Sequence, residues 1–484
     1  MTATTTISST PTVHDQHGLA ISAAPEAAEL YDRAVDRLLR FHPDLIALAT
    51  RLAEEHGDVA MGNAFVAYLH LSSTARGDVD VARAAWEAMT TTPMGPREQA
   101  HHDAIGAWIR GDWHGASRIL DDLLERWPAD LLALMNGHML DFFVGDAANL
   151  RDRPGRSLTA VDPAHPHAAF VRGMQAFGLE ESGHYGAAED AGLAAIAVNP
   201  DDVWAIHAVT HTYEMRGDVA TGVEFLTNRE QDWGSGNLFT VHNWWHLALF
   251  HLELGDPSAA LAIYDREVHN ETSDSIVLQL IDAAAMLWRL HLDGVDTGTR
   301  FAALADAWST AADGRRWYAF NDVHATLAYV GAGRLGDAER LVERMTRYVN
   351  GEARESAANR SNIAMTAEIG LPASRALLAH GNGNWSETVA QLEPIRRRFH
   401  HFGGSHAQRD VLQRTLLDAA LRDGRFDLAR GLIAERLAVR PTSAYAARQH
   451  ERLVTATSRP AAWTWDPSRS RSTVSRVTSR DDGR

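Results

Sequence analysis

The stretch that decides the fold is VWAIHAVTHTYEMRGDVATG, residues 203–222, in which a Gly-Asp pair separates two amphipathic segments. Similar turns recur along the chain, at Gly77, Gly111, Gly145, Gly183, Gly217, Gly255, Gly294, Gly333, Gly383 and Gly424. Several successive turns are 34 residues apart, which is the period of the tetratricopeptide repeat, and most other spacings are a few residues longer. The sequence therefore predicts an all-α fold, an α-solenoid or superhelix of degenerate tetratricopeptide-like helix–turn–helix units.

Two positions inside the unit agree with this period. The fifth residue after the turn glycine is small, which lets the second helix pack closely on the first, at Ala82, Ala116, Ala188, Gly222, Ala260, Ala338 and Ala429. The seventeenth is a proline, which cannot continue a helix, at Pro128, Pro200 and Pro441. The irregular intervals after Gly255 further indicate a superhelix that closes on itself.

Composition limits the function classes. The chain has 484 residues, 45% of them hydrophobic, and a net charge of −17, which argues against nucleic acid and anionic membranes as partners. It contains no run of 18 apolar residues and no basic, apolar leader, so we expect a cytoplasmic protein. Residues 1–25 and 456–484 are rich in Ser, Thr or Arg, and we expect disordered tails on either side of a repeat domain over residues 26–455.

Two residue types are absent. Without cysteine there is no thiolate metal site and no cysteine nucleophile, and without lysine there is no Schiff base to pyridoxal phosphate and no Walker-type nucleotide site. The chain has 25 histidines instead. Any catalysis would therefore depend on histidine, carboxylate, arginine, hydroxyl or metal.

The histidines follow the helical period. His207, His211 and Glu214 have the spacing H-x3-H-x2-E, which places them on one stripe of a helix. The first helix of the next unit repeats the i, i+4 pair as His242 and His246. Positions counted back from the turn glycines put His207, His211, Glu214 and His242 on the concave face. Neighbouring helices lie about 8–10 Å apart, so these side chains are expected to meet over one ligand.

Three interpretations of this cluster are open. The first is a divalent metal site, for zinc or iron, with His207, His211, Glu214 and His242 as candidate ligands. The second is a metal-free polar pocket that binds a ligand or performs acid–base chemistry near neutral pH. The third is structural, since buried histidines often serve only to satisfy interior hydrogen bonds.

Other polar residues extend the candidate site. Asn321, Asp322 and His324 begin a later first helix, and the segment Gly403–Asp410 contains Gln408 and Arg409 beside a helix start that Ser405 is expected to cap. Backbone amides there, with Arg409, would suit an anionic group. The candidate catalytic residues are His207, His211, Glu214, Asp322 and His324. The candidate ligand-binding residues are His207, His211, Glu214, His242, Trp245, His246, Asn321, Asp322, His324, Gln408 and Arg409.

These segments carry a resemblance to a known family. The matching motifs are Arg97-Glu98-Gln99, Trp204-x2-His207-x3-His211-x2-Glu214-Met215, His242-Asn243-x-Trp245-His246-x-Ala248-Leu249, Ala260-Leu261-x-Ile263-Tyr264-Asp265, Phe320-Asn321-Asp322-x-His324, Gly370-Leu371-Pro372 and Gly403-Gly404-Ser405-x-Ala407-Gln408-Arg409-Asp410-Val411. From about residue 30 to residue 450 the chain resembles the tetratricopeptide repeat protein 38 family, in its bacterial branch. The resemblance implies a compact superhelix of degenerate repeats and implies no particular reaction.

The preferred functional prediction is a repeat scaffold with a His/Glu-lined concave pocket that binds a peptide or a small molecule. The alternative is an enzyme that uses the same histidines, as a metal-dependent or His/Asp acid–base hydrolase or isomerase of a small substrate. The histidine, glutamate and tryptophan side chains on the concave positions favour a closed, partly apolar pocket.

Overall fold

The computed structural model describes residues 12–311, 317–352 and 359–458, which form a succession of antiparallel helix pairs. The first twelve helices are α1 (Pro25–Leu39), α2 (Asp44–Glu55), α3 (Ala60–Ser72), α4 (Asp78–Met89), α5 (Pro96–Ile109), α6 (Trp113–Arg126), α7 (Leu131–Val144), α8 (Ala147–Ser157), α9 (His167–Glu181), α10 (Tyr185–Val198), α11 (Val203–Arg216) and α12 (Val219–Asn228). The later helices are α13 (Glu230–Trp233), α14 (Thr240–Glu253), α15 (Pro257–Ile263), α16 (Val277–Leu292), α17 (Arg300–Ala311), α18 (Ala319–Gly331), α19 (Leu335–Val349), α20 (Arg360–Met365), α21 (Leu371–Gly381), α22 (Trp385–Leu392), α23 (His406–Arg422), α24 (Phe426–Val439) and α25 (Ala444–Ser458).

Three helices continue with a changed winding. A π-helical turn, Tyr264–Val268, extends α15, and a second one, Thr366–Gly370, joins α20 to α21. A 3-10 segment, Glu393–Phe402, extends α22 toward α23. The predicted all-α solenoid is thus confirmed.

The turn between paired helices is built from glycine and aspartate. Between α7 and α8, Gly145 ends the first helix with φ of 75°, a left-handed conformation that glycine adopts without a steric penalty. Asp146 then begins α8 by accepting the backbone N–H of Asn149 at 3.0 Å. Every turn glycine predicted from the sequence has a positive φ except Gly77, whose φ is −58°.

The small residues predicted at the fifth position after the turn are buried. The six alanines at the fifth position after the turn are all fully buried: Ala82, Ala116, Ala188, Ala260, Ala338 and Ala429. The seventh member is Gly222 on α12, where an added Cβ would lie 2.3 Å from the ring of Phe250 on α14. The repeat period therefore corresponds to real helix packing.

The superhelix closes on itself. The amide of Trp113 donates to Ser361 Oγ at 3.0 Å, and Tyr318 OH donates to the carbonyl of Phe143 at 3.1 Å. In the interior, α23 packs against α11 and α16 and is buried on nearly every side. Two first helices of the repeat array, α11 and α16, are thus covered by a later helix of the same chain.

The amino-terminal region corrects one expectation. Residues 12–25 are ordered rather than a disordered tail, since β1 (Thr12–His14) pairs antiparallel with β2 (Ala20–Ser22) and α1 begins at Pro25. Ile21 is fully buried, and Arg97 donates to the carbonyl of Ala20 at 3.2 Å. At the other end α25 extends to Ser458. The remainder of both expected tails, residues 1–11 and 459–484, lies outside the described residues.

Within the described ranges, no helix combines the length and apolar character needed to span a bilayer.

Candidate metal centre

Two adjacent first helices bring four histidines together. His207 and His211 come from α11, and His242 and His246 come from α14. One ring nitrogen from each of the four lies within 4.8 Å of the other three. Three of the side chains are almost completely buried, and His242 keeps 15% of its side-chain surface exposed. The i, i+4 pairs predicted from the sequence therefore form a single cluster.

A carboxyl group stands behind three of the four rings. Asp282 on α16 lies 2.8 Å from His242 Nδ1 through Oδ2. Glu214 Oε2 lies 3.1 Å from His246 Nδ1. Glu180 on α9 is at a longer 3.4 Å from Nδ1 of the His211 ring. A carboxylate at the outer nitrogen is the usual companion of a metal-ligating histidine, because it fixes the ring and makes the inner nitrogen more basic.

These contacts determine where the protons lie. A neutral imidazole carries one N–H, and a carboxylate accepts it at Nδ1, so Nε2 of His242 and Nε2 of His246 present lone pairs. The two Nε2 atoms lie 3.3 Å apart, and His207 Nε2 lies 3.2 Å from that of His242. Two lone pairs at this distance repel unless a cation stands between them. The edge of a tetrahedron around zinc, with Zn–N of about 2.0–2.1 Å, is about 3.3–3.4 Å long.

Burial keeps three of the four rings, His207, His211 and His246, in the form that binds metal. It lowers the pKa of His211 to about 4 and holds the pKa values of His207 and His246 well below the ordinary value, with the neighbouring histidines adding to the effect. A metal ion binds unprotonated imidazole, so these rings need lose no proton at neutral pH to bind one.

Aromatic rings surround the cluster. Phe177, Trp204 and Phe239 have ring centroids 5.0–5.2 Å from that of His207. Trp245, a residue expected to line the pocket, stacks on His242 with the centroids 5.2 Å apart. An apolar wall of this kind excludes water and strengthens electrostatic interactions inside it.

In the structure His246 takes the place that was expected from the sequence for Glu214 among the four candidate metal ligands. Glu214, expected as a metal ligand, lies behind His246, and His246 supplies the fourth nitrogen. Asp282 was missed altogether. The available signal was a single acidic residue in an otherwise apolar helix, in the run LIDAAAML over residues 280–287.

The candidates on α18 lie outside the four-histidine group. The amide nitrogen of Asn321 donates to the carbonyl of Thr74 at 3.0 Å. His324 is buried, and its Nδ1 donates to the carbonyl of Phe320 at 2.8 Å. Asp322 is buried on the same helix. These residues line a different part of the interior.

The candidates on α23 have partners within the chain. Ser405 caps the helix, as expected, and Gln408 completes a capping box with it. Glu181 accepts the backbone N–H of His406 at 2.8 Å and pairs with Arg409 Nη2 at 3.1 Å. The anion-binding position expected at this helix start is therefore filled by the chain's own Glu181.

No family model matches the chain. A solved structure of Naa15/Naa10 bound to HypK-THB is similar at 12% sequence identity, with 90% of this chain and 69% of that chain covered and a TM-score of 0.24. The described fold and site define the class instead: an all-α helical repeat protein with a buried cluster of four histidines.

Proposed function

We propose that this helical repeat protein binds one divalent transition metal ion through His207, His211, His242 and His246, and that the bound metal holds a small-molecule ligand. The observation that carries the proposal is the convergence of imidazole lone pairs with carboxyl groups behind the rings. Imidazole ligands suit zinc, iron, copper and nickel, and zinc and iron are the ions expected from the sequence.

The surrounding charges suit a cation. Four neutral imidazoles do not neutralise the +2 charge of a divalent ion. The carboxyl groups of Asp282, Glu214 and Glu180, which lie behind the rings, would supply the negative charge that balances it. Without a cation, burial and then the neighbouring Glu181 raise the pKa of Glu180 well above its ordinary value. A bound cation reverses this preference, because it favours the ionised form of a nearby carboxyl group.

The ligand we propose is small rather than a peptide. Two of the first helices, on which repeat proteins of this kind would receive an extended peptide, are covered by α23. The exposed part of the cluster is His242, which borders Phe239 with ring centroids 4.9 Å apart. A small molecule that enters beside His242 would reach the metal and pack against aromatic rings.

Glu180 favours a second candidate function, catalysis. Within the described residues neither of its carboxyl oxygens has a hydrogen bond, and it is fully buried beside His211. A buried carboxyl group with no hydrogen bond of its own, beside a ligand of the proposed metal, would be placed for general acid–base work on a molecule bound there. It would suit hydrolysis or proton transfer on a small substrate.

The metal is tested on protein purified without a His tag and reconstituted with zinc or iron. Elemental analysis should find about one equivalent of metal fewer in the His246→Gln variant than in the wild type. The matched control is His380→Gln, because His380 is also buried and pairs with Asp418 at 3.0 Å but lies outside the cluster. A metal content that His246→Gln leaves unchanged would refute the site.

The ligand position is tested separately with cobalt(II) in place of the native metal. Azide or imidazole added to the cobalt protein should change its visible absorption, because either would bind beside His242 as a fifth ligand and expand the coordination sphere. A spectrum that neither molecule alters would leave a purely structural metal and overturn the ligand-binding part of the proposal. A Glu180→Gln variant that keeps the metal but loses an activity of the wild type would support catalysis.

A further inference from the structure

A second group of histidines joins the amino-terminal hairpin to the start of α9. His17 lies in the hairpin turn, and His167 comes 150 residues later, with His165 on the other side of Pro166. One ring nitrogen of each lies within 4.8 Å of the other two. His17 Nε2 is 3.1 Å from His167 Nδ1. The group is distant in sequence from the four-histidine cluster and shares no residue with it.

The hairpin turn holds His17 in a fixed position. The side chain of Asp15 accepts the backbone N–H groups of His17 and Leu19, each at 3.0 Å. Asp15 is itself buried and pairs with Arg97 Nη1 at 2.9 Å. The His17 backbone is thus tied to a buried ion pair, so the ring is presented from a rigid turn.

Hydrogen bonds indicate which nitrogen is unprotonated in the other two rings. His167 Nε2 lies 3.4 Å from Asp36 Oδ1, which leaves its Nδ1 as the unprotonated nitrogen. His165 Nδ1 accepts the backbone N–H of His167 at 3.1 Å, so the lone pair of this ring is on Nδ1 as well. The hydrogen bond from His167 lowers the pKa of Asp36 to about 2, which keeps that carboxylate charged. Burial, with the other two histidines, lowers the pKa of His17 to about 4.

We infer that His17, His165 and His167 form a second metal site, which takes a divalent cation that prefers imidazole, such as zinc, and ties the hairpin over residues 12–22 to α9. Three imidazoles of fixed position, with a carboxylate behind one of them, are a common ligand set for such ions. His17 and His165 are partly exposed, so water completes the coordination. At His165 the metal replaces the amide hydrogen bond at Nδ1.

The proposed site of His17, His165 and His167 would have a structural role, unlike the buried four-histidine cluster. It is open to solvent on one side, and its ligands come from two segments that the chain brings together only on folding. Metal binding at such a place contributes directly to the stability of the folded arrangement, because the unfolded chain has no preformed site. We therefore expect the metal to act as a clip that holds the hairpin over residues 12–22 against α9.

Zinc titration distinguishes the two sites. The wild type should bind about two equivalents, and His17→Ala or His165→Ala should bind about one less. In a His246→Gln background, where the buried centre is disabled, the remaining equivalent should disappear with His17→Ala. The control is His450→Ala, because His450 is exposed on α25 and lies in neither group.

Hydrogen exchange tests the clip itself. Zinc should slow amide exchange over residues 12–22 several-fold in the wild type and in His450→Ala, and should have no effect there in His17→Ala. A zinc stoichiometry that His17→Ala and His165→Ala leave unchanged would overturn the site. Zinc binding without protection of residues 12–22 would overturn the clip. Neither outcome depends on the four-histidine centre, whose failure appears only with His246→Gln.

Discussion

Asp202 meets two opposed demands at the start of α11, the helix that holds His207 and His211. Its Oδ1 accepts the backbone N–H of Ala205 at 2.9 Å and so caps the helix. The residue is completely buried, and Oδ2 makes no hydrogen bond within the described part of the chain. Burial raises the pKa of this carboxyl group to about 8, so the folded protein holds it protonated at neutral pH.

This residue gives the first prediction, a pH-dependent gain for Asp202→Asn. In the unfolded chain the carboxyl group ionises near pH 4, whereas in the folded protein it keeps its proton to about pH 8. The folded state therefore binds more protons between these values, and the wild type loses stability as pH rises through this window, at most about 1.4 kcal/mol per pH unit. Asparagine retains the cap without ionising. The free energy of unfolding of the variant minus that of the wild type should therefore be larger at pH 8 than at pH 5.

Urea unfolding of both proteins at pH 5 and pH 8 measures this difference. Asp256→Asn is the matched control, because Asp256 caps α15 in the same way, through the N–H of Ala259 at 3.0 Å, but is exposed. Its effect should not change with pH. If Asp202→Asn had the same effect at both pH values, Asp202 would have to be ionised in the folded protein.

At the scale of helices, the i, i+4 spacing was sufficient to predict which histidines meet, and insufficient to predict the whole ligand set. Glu214 follows His207 by seven residues, which is about 10 Å along a helix and too far for one metal ion. His246, on α14, instead has a ring nitrogen within 4.8 Å of those of His207, His211 and His242. Asp282 lies on α16 and Glu180 on α9. Whether they come close to the histidines depends on the pitch of the superhelix, and the spacing of residues along the sequence does not indicate that pitch.

The second prediction concerns the contact between α12 and α14, which supports the helix of His242 and His246. Gly222→Ala should lower the free energy of unfolding by about 1–3 kcal/mol, because its Cβ would lie 2.3 Å from the buried ring of Phe250. The same displacement of α14 should weaken metal binding. Denaturant unfolding and metal competition measure the two effects.

Gly186→Ala is the control for that prediction. Gly186 lies in α10, another second helix of a repeat, and an added Cβ there has no atom within 4 Å. The substitution should leave stability unchanged or raise it by up to about 1 kcal/mol, since alanine is the better helix former. Equal effects of the two substitutions would mean that the close approach at Gly222 is not what holds α14 in place.

At the scale of the molecule, closure makes this chain unlike an open array, in which each repeat contacts only its neighbours. The irregular spacings indicated closure but not its partners, because a contact such as that between Asn321 and Thr74 joins residues with no periodic relation. The ordered hairpin was missed for a similar reason. The hairpin directly follows the Thr/Ser-rich stretch of residues 2–10, whose composition is typical of a tail, and it is held by single long-range contacts such as that of Arg97 with Ala20.

The last prediction follows from this closure. Glu181 at the end of α9 accepts from the amide of His406 and pairs with Arg409, so it joins the early repeats to α23. Glu181→Gln removes one charge of a buried pair, which typically costs about 3–5 kcal/mol. We expect the wild type to unfold in one transition and the variant to release α23 first, with faster hydrogen exchange in both α9 and α23.

Glu189→Gln is the control. Glu189 on α10 forms a more exposed ion pair with Arg216 on the neighbouring helix α11, at 2.7 Å. It should change stability by no more than about 1 kcal/mol and leave the single transition intact. A Glu181→Gln protein whose α9 and α23 still exchange at the wild-type rate would show that the remaining long-range contacts suffice, and would shift the role of closing the superhelix to contacts such as that of Tyr318 with Phe143.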